Sequence, residues 1–248
     1  MKKFLLILFL SLNLFSFEET FKKEVPLKDL ENLRVVNVNG NIEISGEERD
    51  SILIEAIKRA ERQSHLKNLE IIIGREGKEL KIETKHTRSY FLGFLPVKMG
   101  GTVNYKIKAP KNLKLKIETV NGNVRVENIS SFIEAESVNG DIWIKEASGK
   151  GAFETVNGEI KIEIKEENPE LKIESVNGNI FLKSTKKINA KYYLEVVNGK
   201  IKIVPSLMEI KSSSPKEMEG ILGNGVGKLH IETVNGDITI ETGQEFSL

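Results

Sequence analysis

Histidine is the scarcest of the residues able to do chemistry in this 248-residue chain. His65, His86 and His230 are the only three, and there is no cysteine. A zinc site needs about four nitrogen, sulfur or oxygen ligands brought together, and nothing in this spacing gathers them. Aspartate is confined to Asp29, Asp50, Asp141 and Asp237. Hydrolase or lyase chemistry on a polysaccharide needs carboxylates in close pairs, sometimes with calcium, and these four do not cluster. No histidine stands near a Ser-Gly elbow. The glycine-rich GILGNGVG of residues 220–227 lacks the Lys-Ser/Thr that follows a phosphate-cradling loop. The sequence therefore predicts no enzyme, no bound metal and no cofactor.

One acidic feature does recur. Glu118, Glu136, Glu154, Glu174 and Glu232 sit at one offset from a repeated tripeptide, and Glu195 reads as one place out of step. If the repeats stack, these carboxylates form an outward column. Neighbours repel by about 1 kcal/mol in water-like surroundings. Lys116, Lys161, Lys172 and Lys202 are the cations expected to neutralise the column; a cation- or partner-binding stripe is the alternative.

The tripeptide is Val-Asn-Gly. It starts at Val38, Val120, Val138, Val156, Val176, Val197 and Val234, with spacings of 82, 18, 18, 20, 21 and 37. The last spacing is close to two units and suggests a degenerate unit between. Repeats of this kind mark a stacked architecture. Both flanks alternate apolar and polar residues, as strands with one buried face do. Asn-Gly is a turn pair that tolerates positive φ. Two folds fit: hairpins joined by two-residue turns, or a β-solenoid with Asn-Gly at one corner of every coil. A hairpin leaves the recurring valine on the polar face. A corner turns it inward, where burial contributes about 1.5–3 kcal/mol. The valine thus argues for the solenoid, with coils of about 18–21 residues and its asparagines in a column joined by stacked amides. The corner residues are Asn39, Gly40, Asn121, Gly122, Asn139, Gly140, Asn157, Gly158, Asn177, Gly178, Asn198, Gly199, Asn235 and Gly236.

The chain opens with MKKFLLILFLSLNLFSF. Lys2 and Lys3 precede an apolar run over residues 4–14. That run falls short of the roughly 20 residues that span a bilayer and reads as a secretory signal peptide, residues 1–17. The formal charge is +1, from 37 basic and 36 acidic residues, which supplies no long-range attraction for nucleic acid. Residues 18–110 are β-rich and irregular, and residues 111–248 carry the regular repeats, all in one elongated domain. Residues 90–101 (YFLGFLPVKMGG) are too apolar for a free loop. They form either a cap over the solenoid end or a surface for contact with a partner or membrane, and membrane contact is expected only through residues 90–99. Trp143 and Phe181 hold the outward position after the corner, two coils apart on one face, where exposed aromatics stack on sugars or proteins. The possible partner contacts are Tyr90, Phe91, Phe94, Leu95, Trp143 and Phe181.

These features together resemble the bacterial putative-adhesin domain family of unknown function. The carriers are the leader, the repeats, the lead-in Tyr105-Lys-Ile-Lys-Ala-Pro-Lys-Asn-Leu-Lys-Leu-Lys-Ile-Glu-Thr-Val-Asn-Gly122, and the glycine step Gly223-Asn-Gly225 before the last unit. The similarity covers residues 30–242. It implies an all-β, single-stranded, right-handed parallel β-helix, and little about activity. The expected role is an exported, non-enzymatic, structural or adhesin-like module of the cell envelope, in the periplasm, at the outer membrane or on the surface. Its partner would be an envelope protein or glycan. The alternative is a glycan- or cation-binding module using the outward face.

Overall fold

The computed structural model describes residues 17–86, 91–92, 95–96, 100–204, 209–213 and 216–243. Leader residues 1–16, Tyr90 and Phe94 lie outside the described residues. Most of the described residues are strand, and among them is one short helix, Gln63–Lys67. Two large sheets face each other across a single apolar core. Each coil places the strand before its Val-Asn-Gly in an eleven-stranded sheet and the strand after it in a ten-stranded sheet. We call these the pre-corner and post-corner sheets.

Lys114–Asn121 leads through Gly122 into Val124–Glu127, and the next coil repeats this with Ile133–Asn139 and Ile142–Ala147. Successive coils pair in parallel and in register, Ile117 on Ala135 and Val124 on Ile142. Hairpins would pair each strand antiparallel to its sequence neighbour, so parallel pairing between coils decides for the solenoid-like arrangement. The alternation is filled inward by residues such as Ile117, Ala135, Phe153 and Ile173. Phe153 fits because its neighbours are small: a Cβ on Gly151 would meet the Phe153 ring at 2.7 Å.

The valine does not turn inward. Val38, Val120, Val138, Val176, Val197 and Val234 are 36–52% exposed, and Val156 is half-buried. The strand runs on through the asparagine, so its alternation continues one step further than expected. The residue before the valine goes inside instead, Thr119, Ser137, Thr155, Ser175 and Thr233 all being buried. Its hydroxyl donates to the glycine carbonyl of the adjacent corner: Ser137 to Gly122, Thr155 to Gly140, Ser175 to Gly158 and Thr233 to Gly178, at 3.1–3.4 Å. In the first coil Asn37 takes this place and donates to Gly40 O at 3.0 Å and Val103 O at 2.8 Å. At the Ser137, Thr155, Ser175 and Thr233 corners the Thr/Ser of the consensus is therefore a buried satisfied polar group, of the kind an apolar interior demands, whereas the buried Thr119 hydroxyl has no partner.

The asparagines form one column. Asn121 donates its amide to Asn39, Asn139 to Asn121, Asn157 to Asn139, Asn177 to Asn157, Asn235 to Asn177 and Asn198 to Asn235, all at 2.8–2.9 Å. A second column stands just past the glycine. The side-chain oxygens of Asn104, Asn41, Asn123, Asp141, Asn179 and Asp237 each accept the backbone N–H of the next coil, at 2.8–3.0 Å. This explains why Asn or Asp so often follows the glycine.

The glycine is required by crowding and not, at most corners, by positive φ. A Cβ on Gly122, Gly140, Gly158, Gly178 or Gly236 would lie 1.8–2.2 Å from the carbonyl oxygen of the neighbouring corner glycine. Of these corners only the first, at Gly40, has a clearly left-handed φ of 116°.

The order of coils in space departs from their order in sequence. Coil 32–47 pairs with coil 114–127 in both sheets, so the intervening segment folds outward from the first coil as an end structure. There Glu79–His86 extends the pre-corner sheet, followed by Leu69–Glu76. Thr102–Pro110 extends the post-corner sheet, followed by Ser51–Ala60 and Phe17–Pro26. At the other end, coil 227–241 lies between coils 170–184 and 190–204. The 37-residue spacing thus hides no degenerate coil. It holds an antiparallel pair, Glu209–Ser213 and Glu217–Leu222, which closes the pre-corner sheet beyond Ala190–Asn198.

Gly158→Ala places a carbon 2.2 Å from Gly140 O, and the obstacle is backbone. We expect a loss of about 3 kcal/mol or more. Val176→Thr, on the exposed side of the same region, should change stability by no more than about 0.5 kcal/mol. Urea unfolding monitored by circular dichroism checks both. Costs in the reverse order would return the valine to the interior.

Candidate functional site

With the interior filled by side chains, the chemistry of the coils lies on their outer faces. On the post-corner sheet one row crosses ten strands: Lys22, Glu55, Lys106, Glu43, Arg125, Trp143, Lys161, Phe181, Thr239 and Lys202, each in register with the next. Over the first five residues charge alternates in sign. From Trp143 onward, rings stand where the acids stood. Arg125 lies over the Trp143 ring at 5.9 Å and Lys161 over the Phe181 ring at 5.5 Å; exposed pairs of this type contribute about 0.5–1 kcal/mol. Arg125 is also held by Glu127 at 2.6 Å, and Lys161 by Glu159 at 2.6 Å. That lysine holds the Glu159 carboxyl below the usual range, despite partial burial that pushes the other way. Between the rings runs a groove of about 400 Å³, floored by Trp143, Lys161 and Phe181 and flanked by Lys145, Glu163 and Lys183.

On the pre-corner sheet the glutamates form the column that the repeat implies, Glu118, Glu136, Glu154, Glu174, Glu232 and Glu195, extended by Glu217. Glu195 is in step with the others, since it pairs directly with Glu232. The neutralising cations differ from those expected. Lys116 and Lys172 are on this face, but Lys161 and Lys202 belong to the opposite sheet. In their place stands Arg34, whose Nη2 meets both Glu118 oxygens, at 2.9 and 3.1 Å. The carboxylate raises the Arg34 pKa above its usual value through those bonds. Lys116 bonds Glu134 and lies 3.4 Å from Glu118. Lys172 bonds Glu174 at 2.9 Å, which holds its ammonium above the usual range. Beside Glu232, His230 Nε2 lies 2.7 Å from a carboxylate oxygen. Tyr193 donates to Glu195 at 2.7 Å, and that bond first, with burial second, pushes the phenol up to about 12. Glu136 is raised, mainly by desolvation outweighing Lys116.

A match to Toastrack DUF4097 spans residues 25–241. The chain belongs to that family. Among solved structures, it is similar to a putative cell adhesion protein from Clostridium sporogenes ATCC 15579, at 14% identity and a TM-score of 0.50, covering 91% of this chain and 100% of that one. It is also similar to a putative adhesin from Bacteroides fragilis NCTC 9343, at 12% identity and a TM-score of 0.43, covering 90% and 97%. A putative lipid binding protein from Parabacteroides distasonis ATCC 8503 matches at 13% identity and a TM-score of 0.37, covering 92% and 97%. No curated protein sequence matches the chain. The family assignment and the fold likeness agree with the two-sheet, parallel, solenoid-like architecture described above.

Of the residues singled out in the sequence, this Toastrack domain gathers all seven corner asparagines into one column and stacks their glycines beside it. Trp143 and Phe181 share one row with Lys161 between them; Trp143 is exposed and Phe181 half-buried. Phe91 and Leu95 lie in a two-strand pair, Phe91–Leu92 with Leu95–Pro96, and their side chains are outside the described residues. Sequence reasoning missed Arg34, Tyr193 and the pairing of His230 with the glutamate column. Arg34 and Lys116 do share one offset from their asparagines. Tyr193 and His230 also share it, but the partners of each depend on coil order in space.

If the Trp143 row is a free surface, truncating it barely touches stability. Trp143→Ala should cost less than about 1 kcal/mol, whereas Ile144→Ala, next in sequence but 2% exposed, should cost about 2–4 kcal/mol. Paired thermal melts read this difference. A Trp143 loss as large as that of Ile144 would make the row structural.

Proposed function

We propose that this chain is an exported, non-enzymatic, adhesin-like module of the cell envelope, built as a single-stranded right-handed coil. Its post-corner outer face meets an envelope protein or glycan. The observation that carries the reading is the change along one row, from self-neutralising charge to rings beside Arg125 and Lys161. A face meant only for solvent has no need of that change, whereas aromatic and arginine side chains are what contact surfaces enrich.

The leader of residues 1–17 supports export. Among the described residues, no helix is long and apolar enough to cross a membrane. The family membership and the cell-adhesion name of the Clostridium protein support an adhesive role outside the cytoplasm. Residues 90–99 provide a further apolar contact segment.

A glycan is favoured as the ligand by one spacing. Trp143 and Phe181 are separated by two strand intervals, about 9.6 Å, comparable to two sugar rings of an extended chain. Lys161 between them supplies a hydrogen-bond donor.

The test is capture by the immobilised mature chain, residues 18–248, against envelope fractions and a glycan array. Retention that falls about 10-fold or more in the Trp143→Ala/Phe181→Ala variant, with the melting temperature held, is the expected result. Retention indifferent to that variant moves the contact elsewhere, and no retention at all defeats the adhesive reading.

A further inference from the structure

We propose that Glu174, His230 and Glu232 form a binding site for a divalent transition metal of the zinc type, on the outer face of the pre-corner sheet. Residues 174 and 230 lie on different coils, far apart in sequence. They become neighbours because coil 227–241 inserts beside coil 170–184, pairing Lys172 with His230 and Glu174 with Glu232. One ligand atom from each of the three residues falls within 4.8 Å of the others. Zinc holds nitrogen and oxygen ligands at about 2.0–2.2 Å. Closing the set therefore needs only small rotations of side chains that are 30–39% exposed.

The imidazole is already oriented. Tyr193 stacks on it, with ring centroids 5.2 Å apart and planes 14° from parallel, and Tyr193 is itself tied to Glu195. His230 Nε2 faces the Glu232 carboxylate at 2.7 Å. A metal would take the place of the Nε2 proton and keep both groups as ligands. At the same offset the other coils carry a cation, an acid, an alanine or a phenol: Arg34, Lys116, Lys172, Glu134, Ala152 and Tyr193. His230 alone among them offers an imidazole nitrogen beside two stacked carboxylates. Next to it a cleft of about 280 Å³, lined by Glu154, Glu174, Glu195 and Glu232, leaves room for the open coordination position. Lys172 competes for the site through its bond to Glu174.

Isothermal titration of zinc chloride into the untagged mature chain tests this. We expect one saturable site, weakened about 10-fold or more by His230→Ala and by Glu232→Gln. Lys172→Met should tighten it by freeing Glu174. Glu118→Gln, far along the same column, should leave it unchanged, and calcium and magnesium should bind far more weakly because they select oxygen ligands. Circular dichroism confirms that each variant is folded. No heat at millimolar zinc overturns the proposal, as does binding that survives His230→Ala or falls equally with Glu118→Gln, which would signal diffuse attraction to acid.

Discussion

Everything in this molecule depends on one close approach. At each corner beyond the first, a glycine takes the carbonyl oxygen of the neighbouring corner glycine against its own α-carbon, where any other residue would put a side-chain carbon. That contact sets how near two coils can lie at the bend. It also brings the asparagines within bonding distance, so their amides form an unbroken chain across seven coils. The buried hydroxyl that donates to the same carbonyl completes the arrangement. Backbone N–H groups at the bend are met by the next coil, either by its carbonyls or through the Asn/Asp column. A bend that would otherwise leave polar backbone unpaired is therefore as fully bonded as the sheets it joins.

Because every corner presents the same surface to its neighbours, stacking need not follow the order of the chain. The first coil rests on a coil that begins 82 residues later in the repeat count. Coil 227–241 separates two coils that are adjacent in sequence. The end strands of the pre-corner sheet pair antiparallel, Leu69–Glu76 at one end and Glu209–Ser213 at the other, ending the regular parallel stack from which a row of open donors and acceptors would otherwise continue. Such an order also means that the stack cannot close coil by coil from the N-terminus, since the place for coil 227–241 must be filled from the far end of the chain. Long-range pairing of this kind is what slows β-rich folding.

The repeat that makes the stack also aligns chemistry. Identical offsets place like side chains in rows about 4.8 Å apart, which concentrates charge as readily as it concentrates amides. On the pre-corner face that yields adjacent carboxylates relieved by Arg34, Lys116 and Lys172. On the post-corner face it yields cations alternating first with acids and then with rings. The distinctive positions are those where one unit departs from the consensus, as at Trp143, Phe181 and His230.

Much of this was legible in the residues alone. Period-2 alternation identified the strands, because one face of each must be apolar. The repeated Asn-Gly located the corners, and the Trp143 and Phe181 offsets placed both rings on one face. The valine was misread, because its side depends on where the bend falls relative to the asparagine, and the amide column holds the strand straight one residue longer than a turn motif suggests. Glycine was given the wrong reason: its backbone is mostly ordinary, and only the neighbouring carbonyl, a tertiary contact, excludes a side chain. The order of the last coils, and with it the meeting of Glu174, His230 and Glu232, was not in the sequence at all. Equivalent corners are interchangeable by local chemistry, so which coil lies beside which was decided only by the packing of the whole chain.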